Sequence, residues 1–212
     1  MGCVLEGFAL ALFDKKKKPV AEEKKLTWYQ NLIVDFHDIL CVFGVFLIVF
    51  MLCFRVVVVI GPSMYDTLIH GDRLVLLSST VYKNPQPGDI VVASLKDFDN
   101  GECIVKRVIA TEGQTVDINF ETGVVYVDGI ALDESYTHTA TNTQEGMQFP
   151  LVVSEGCLFV MGDNRNSSKD SRSPEIGLVD KREILGKAIF LLLPGDNRGN
   201  EKPNYDRVGV IG

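Results

Sequence analysis

Residues 39–68 read ILCVFGVFLIVFMLCFRVVVVIGPSMYDTL. The first sixteen carry no charge, Arg55 follows, and VVVVI runs to Ile60 before Gly61 and Pro62 break the run. Taken as one helix, the stretch Ile39 to Ile60 would extend about 33 Å, enough to cross a hydrocarbon core of roughly 30 Å. Arg55 lies near the far end, where a long side chain can reach the interface. The 152 residues that follow make too small a domain to enclose a helix that is apolar on every side.

The run is longer than the apolar region of a cleaved signal peptide, 38 residues precede it, and no small-x-small signature closes it. It therefore reads as a retained anchor. Lysines at 15–18, 24 and 25 precede the run, and Arg73 is the first basic residue after Ile60. The bias of Lys and Arg toward cytoplasmic flanks gives three segments. Residues 1–38 are expected in the cytoplasm, 39–60 as a transmembrane anchor, and 61–212 as an extracytoplasmic domain. The chain is then single-pass in the cell membrane, with its lysine-rich segment near anionic lipid headgroups.

Composition fits that plan. The chain has 212 residues, is 46% hydrophobic and carries a formal net charge of −7. Residues 61–212 hold 14 Lys and Arg against 22 Asp and Glu, which argues against nucleic acid as a partner. The five cysteines (3, 41, 53, 103 and 157) form no CxxC pair, so neither a zinc site nor a disulfide framework is indicated. Cys103 and Cys157 could pair only if the fold brings them together. The opening Met-Gly-Cys lacks the Ser or Thr that myristoylation wants at position 6, where Glu6 stands.

After Ile60 the signals are those of β-strands. RLVLL (73–77), DIVVASL (89–95), CIVKRVIAT (103–111), TVDINF (115–120), VVYVDGIAL (124–132), CLFVM (157–161) and KAIFLLL (187–193) are short apolar runs bounded by turn formers. Asp128-Gly129 is a two-residue hairpin signal. The fold class expected is mainly β: an N-terminal transmembrane helix followed by an antiparallel barrel or sandwich. The polar stretch 133–148 reads as an excursion or loop.

Candidate chemistry is sparse. The histidines at 37, 70 and 138 are far apart, and no HExxH or paired-cysteine pattern occurs, so no metal and no cofactor is implied. Lysine is the better base. In a strand, Ile104, Lys106, Val108 and Ala110 share a face. An amine among three apolar neighbours is desolvated, and its pKa falls toward a value at which it can take a proton from a serine. Ser63, just past the anchor, is a candidate nucleophile, although a serine after Gly-Pro is also an ordinary turn residue. Residues 161–172, MGDNRNSSKDSR, place Asp170 and Arg172 where they can form a fixed ion pair beside a serine able to orient a lysine.

Taken together, Ser63-Met64, Lys106-Arg107 in VKRVIA, GDI at 88–90 and GDNRNSSKDSR at 162–172 resemble the bacterial type I signal peptidases in the order of their motifs. The resemblance covers residues 39–193, and the GDNRxxSxDSR box is its most specific part. It implies a Ser-Lys serine endopeptidase of the signal peptidase fold that removes signal peptides from secreted preproteins after a small-x-small motif, at the membrane lipid surface. Ser63 would be the nucleophile and Lys106 the general base. Ser168 would hydrogen-bond the lysine, Asp170 and Arg172 would brace the site, and Asp163 would form the turn that opens the box. The backbone N–H of Ser63 would serve the oxyanion hole, with Gly61 supplying a second N–H where some members carry a serine hydroxyl. Asp66 stands where family members commonly have Pro, which leaves the loop less fixed and puts a carboxylate near the base. Two other readings remain at this stage: a membrane-anchored β domain that binds peptides without cutting them, and a Ser-Lys protease with a different substrate. The sequence leaves the oligomeric state and the set of preproteins open.

Overall fold

The computed structural model describes residues 27–95, 103–196 and 202–211. Helix α1 spans Trp28–Cys53. It is long and apolar enough to cross a membrane, and it is the one such helix among the described residues. Its length of about 39 Å follows from the rise per residue.

The apolar run is not one helix. It leaves helical geometry after Cys53, and Phe54–Val58 form strand β1, paired antiparallel with β2 (Arg73–Ser78) from Phe54↔Leu77 to Val58↔Arg73. The helix also begins eleven residues before Ile39, at Trp28. The physical reason for the early stop lies in the valines. Four consecutive β-branched residues lose rotamer freedom in a helix and fit a pleated strand, and β2 offers a partner edge.

The remaining strands are β3 (Ile90–Ser94), β4 (Cys103–Thr111), β5 (Thr115–Asn119), β6 (Val124–Val127), β7 (Ile130–Ala131), β8 (Leu151–Val152), β9 (Cys157–Met161), β10 (Val179–Asp180), β11 (Ile184–Leu193) and β12 (Gly209–Val210). Among the described residues they form two antiparallel sheets. The larger has the order β1-β2-β11-β3-β4-β9-β10, with β12 on β11; the smaller has the order β7-β6-β5-β8. The chain is thus a mainly β protein with one N-terminal apolar helix. The hairpin at Asp128-Gly129 forms as the dipeptide predicts: Val127 pairs with Ile130, and both turn residues have positive φ, 52° and 78°.

Strand β3 shows why the large sheet holds a core on both faces. Ile90 and Val92 enter one apolar cluster with Met64, Leu68, Leu74 and Leu191, while Val91 and Ala93 enter another with Ile104, Val108, Leu158 and Val160. A third cluster joins β5 and β6 to Phe159 and Met161 of β9. Ala110 belongs to this third cluster rather than sharing the face of Ile104 and Val108. The register with β9 shifts between Val108 and Ala110, and a bulge of one residue turns the following side chains over.

The cysteines at 103 and 157 are free. β4 and β9 run antiparallel with Thr111 opposite Leu158, so Cys157 lies beside the end of β4 and Cys103 at its beginning, most of a strand length apart. Residues 133–148 form an irregular loop held against the 162–172 box by His138 N–H, which donates to Asp163 O (3.1 Å), and by the contacts of Glu134, Thr141, Thr143 and Glu145 described below.

Candidate active site

Lys106 lies in mid-β4 between Val105 and Arg107, in register with Val91 of the neighbouring β3, and it is 5% exposed. Its Nζ is 2.8 Å from the Oγ of half-buried Ser63. When the amine is charged it donates to the hydroxyl; when neutral it accepts the hydroxyl proton. Burial lowers its pKa to about 8. Asp170, Glu145 and Asp163 oppose that shift, and Arg172 assists it. The lysine face reading therefore gives the right direction, from the strand alone, before any charged neighbour is known.

Ser63 is carried by the loop between β1 and β2. The ends of that loop are closed by Val59 N–H to Asp72 O (2.8 Å) and Gly71 N–H to Val59 O (2.9 Å). On the box side, Asn164 N–H donates to Ser63 O (3.0 Å), and Asn164 Nδ2 donates to Pro62 O (3.1 Å). Gly162 makes the approach possible. A Cβ there would lie 2.2 Å from Ser168 Oγ and 2.4 Å from Ser63 O, so only a residue without a side chain fits between them.

Two buried ion pairs frame the dyad. Asp163 accepts from Arg107 Nε (2.9 Å), Arg107 Nη2 (2.7 Å) and Thr67 Oγ1 (2.6 Å). Arg107 also donates to Gly88 O (2.9 Å), and its guanidinium lies 4.0 Å above the Tyr136 ring. Asp170 accepts from Arg172 Nε and Nη2 (both 2.8 Å), Ser168 Oγ (2.9 Å) and Gly162 N–H (3.0 Å). Arg172 further donates to Arg165 O (2.6 Å) and Thr143 O (3.1 Å), with Glu145 Oε1 at 3.2 Å. Arg165 is buried against Glu134 and Thr141. Each of these charges is desolvated, and each is compensated by a partner in bidentate or multiple hydrogen bonds.

The structure brings Ser63 and Lys106 together and sets Asp163, Asp170 and Arg172 around them. It does not join Ser168 to Lys106. Among the described residues the Ser168 hydroxyl donates to Asp170 at 2.9 Å, and no bond joins it to Lys106. The Gly61 N–H is likewise engaged: it donates to His70 Nδ1 at 3.1 Å. The Ser63 N–H has no hydrogen-bond partner among the described residues. Asp66 does not act on the base. Its exposed carboxylate turns to His138 Nδ1, 3.0 Å away, and the charges around Lys106 are those of the box and of Glu145.

Sequence reasoning missed Thr67, Glu145, Tyr136 and Arg165, and gave Arg107 no role. Arg107 had a usable signal: adjacent strand residues point to opposite faces, so a Lys-Arg pair in a buried strand needs a carboxylate for the arginine. Arg165 stands in the box and Thr67 four residues after Ser63, but the partners that give them roles, Glu134, Thr141 and Asp163, lie far away in sequence, as do Glu145 and Tyr136.

A cleft of about 340 Å³ runs past the dyad, lined by residues 57–60, 103–106, Ser63 and Val92. Three strands stand between β1 and β4 in the sheet order, yet both line this cleft, so the sheet curls toward a barrel. No cluster of three or more His, Cys, Asp and Glu suited to a metal ion occurs among the described residues.

The sequence profile of the family described as signal peptidase, peptidase S26, matches residues 33–193. A probable signal peptidase I-1 from Synechocystis sp. is 40% identical over 147 residues, covering 66% of this chain and 71% of that protein. A signal peptidase I P from Bacillus subtilis subsp. natto is 30% identical over 193 residues, covering 87% and 97%. A solved structure of a signal peptidase I from Enterococcus faecalis V583 is similar at 30% identity and a TM-score of 0.41, covering 50% of this chain and 97% of that one. The profile match spans the segment that contains Ser63, Lys106 and the box, and the chain belongs to the signal peptidase family, peptidase S26.

Proposed function

We propose that this chain is a membrane-anchored serine endopeptidase that removes signal peptides after a small-x-small motif, with Ser63 as nucleophile and Lys106 as general base. The observation that carries the assignment is the buried lysine amine 2.8 Å from the serine hydroxyl. Neutral Lys106 takes the Ser63 proton as Oγ attacks the scissile carbonyl. The carbonyl oxygen becomes an oxyanion facing the Ser63 N–H. The ammonium then protonates the leaving amine, the C–N bond breaks, and an acyl-enzyme remains. Water, deprotonated by the same amine, hydrolyses it and restores the hydroxyl.

Asp170 and Arg172 hold the box, and Ser168 is fixed in it by its bond to Asp170. Asp163 fixes the middle of β4 through Arg107 and the nucleophile loop through Thr67. The cleft beside β1 and β4 accepts an extended peptide, whose main chain can pair with a strand edge while small side chains enter the wall. Helix α1 is the span that keeps Ser63 near the bilayer surface, with the lysine-rich segment before it cytoplasmic and the sheets outside. Lipid is thus a neighbour and the preprotein the substrate.

The test is cleavage of a preprotein by the full-length protein in detergent, read by mass spectrometry at the new N-terminus. Wild type should cut after small-x-small, and Ser63→Ala and Lys106→Ala should each lose activity by at least about 10³-fold while retaining the wild-type circular dichroism spectrum. A folded Lys106→Ala protein that keeps most of its activity would remove the dyad assignment.

A further inference from the structure

The family match ends at residue 193, yet residues 202–211 return to the nucleophile loop. β12 adds to β11 through Phe190↔Val210 and Leu191↔Gly209, and Ile211 packs on the cluster that holds Met64 and Leu68. Between these anchors and the 3-10 turn Tyr205–Arg207, Arg207 reaches inward. Its Nη1 donates to Asp72 Oδ1 (3.0 Å), and its Nη2 donates to Asp72 Oδ2 (2.7 Å) and to the carbonyl oxygen of Thr67 (3.1 Å).

The loop is closed without Arg207. Val59, Gly71 and Asp72 join its ends through the main chain, and the fully buried Asp72 carboxylate also accepts from Ile69 N–H and Gly195 N–H. What Arg207 adds is the third bond, to a carbonyl in the middle of the loop, four residues after Ser63. The hydroxyl of that same Thr67 is bound to Asp163 on the box side. Thr67 is therefore gripped from two directions, by the box and by the C-terminal segment, and Ser63 lies between that grip and its own bond to Asn164. A guanidinium can form the two parallel bonds to Asp72 and the bond to Thr67 at once; an ammonium cannot reproduce that fork.

We propose that Arg207 is a positioning residue of the peptidase: through Thr67 and Asp72 it holds the loop that presents Ser63 to Lys106. The proposal rests on Ser63 being the nucleophile. Loss of the Thr67 bond lets the segment between Ser63 and Thr67 shift, and displacement of a nucleophile by a fraction of an ångström lowers turnover without changing how peptide fills the cleft.

The experiment uses the full-length protein in detergent with a preprotein substrate, comparing wild type, Ser63→Ala, Arg207→Lys and Arg207→Gln. Ser63→Ala should be inactive; if it cleaves, the nucleophile assignment fails and this proposal falls with it, whatever Arg207 does. Arg207→Lys keeps a charge opposite Asp72, and Arg207→Gln keeps an amide N–H donor there while Asp72 retains its bonds from Ile69 N–H and Gly195 N–H, so both fold. Each should show kcat lowered about tenfold with KM within about twofold of wild type. Wild-type kcat in both variants would overturn the proposal. So would a loss of activity that only tracks the unfolded fraction seen by circular dichroism.

Discussion

In the proposed mechanism Lys106 joins a strand of the core to the chemistry, and its protonation sets the pH at which the site works. Because burial lowers its pKa to about 8, the active, neutral fraction grows as pH rises. We expect kcat/KM to climb through an apparent pKa of about 8 and then level off. Glu145 opposes the shift from across the Arg172 guanidinium. Glu145→Gln removes a negative charge, favours the neutral amine, and should move the climbing limb to lower pH; a pH–rate profile checks both. A linked stability effect has the same origin. The folded pKa lies below the unfolded value of 10.5, so between about 8 and 10.5 the unfolded chain binds more protons and stability rises with pH. Lys106→Met lacks this term, and urea titrations of the two proteins should converge as pH increases.

At this scale the sequence is legible where one residue's environment is local. Alternation in CIVKRVIAT is enough to place an amine among apolar neighbours, and the box residues lie within eleven positions of one another. Arg107–Asp163 is 56 residues apart, and the grips on Thr67 come from 96 and 140 residues away. Nothing in the local pattern predicts such pairs. Asp66 illustrates the reverse case: its proximity in sequence suggests an influence on the base, but its side chain turns to His138.

Among elements, the point where β9 enters the box carries a tight constraint beside Ser63. Gly162 passes between Ser168 and the carbonyl of Ser63 with no space for a methyl group. Gly162→Ala must move Ser63 or Ser168, and we expect a loss of about 10²-fold in kcat. A structure of the variant or its turnover number tests this, and near-normal kcat would show that the loop can yield. The seven strands read from apolar runs and turn formers all appear, because each has its own alternation and punctuation. β8, β10 and β12, two residues each, carry too little pattern to be seen. β1 was hidden for another cause: its valines continue an apolar run, and hydropathy alone does not separate a buried strand from the end of a span. Partner availability separates them.

For the whole molecule, that reassignment has a measurable outcome. A chain beginning at residue 54 keeps β1 paired with β2 and should fold cooperatively and cut a soluble peptide. A chain beginning at residue 61 loses β1, exposes the edge of β2 with Leu74 and Leu76, and removes residues 57–60 from the cleft wall. It should melt at lower temperature and lose most of its activity. Equal melting midpoints for the two truncations would place the domain boundary at Ile60 after all.

The bond from Arg207 to Thr67 also sets when during its synthesis the molecule can begin to cut. Ser63 and Lys106 are 43 residues apart, Thr67 and Asp163 are 96 apart, and Arg207 lies 135 residues beyond Asp72. Contacts of such sequence separation close late, after the intervening chain is available to fold. A growing chain emerging beside other nascent proteins therefore holds both reactive groups without holding them in place. The last grip on the Ser63 loop waits until Arg207 has emerged and folded back, so a translation product that stops before it is a poor protease.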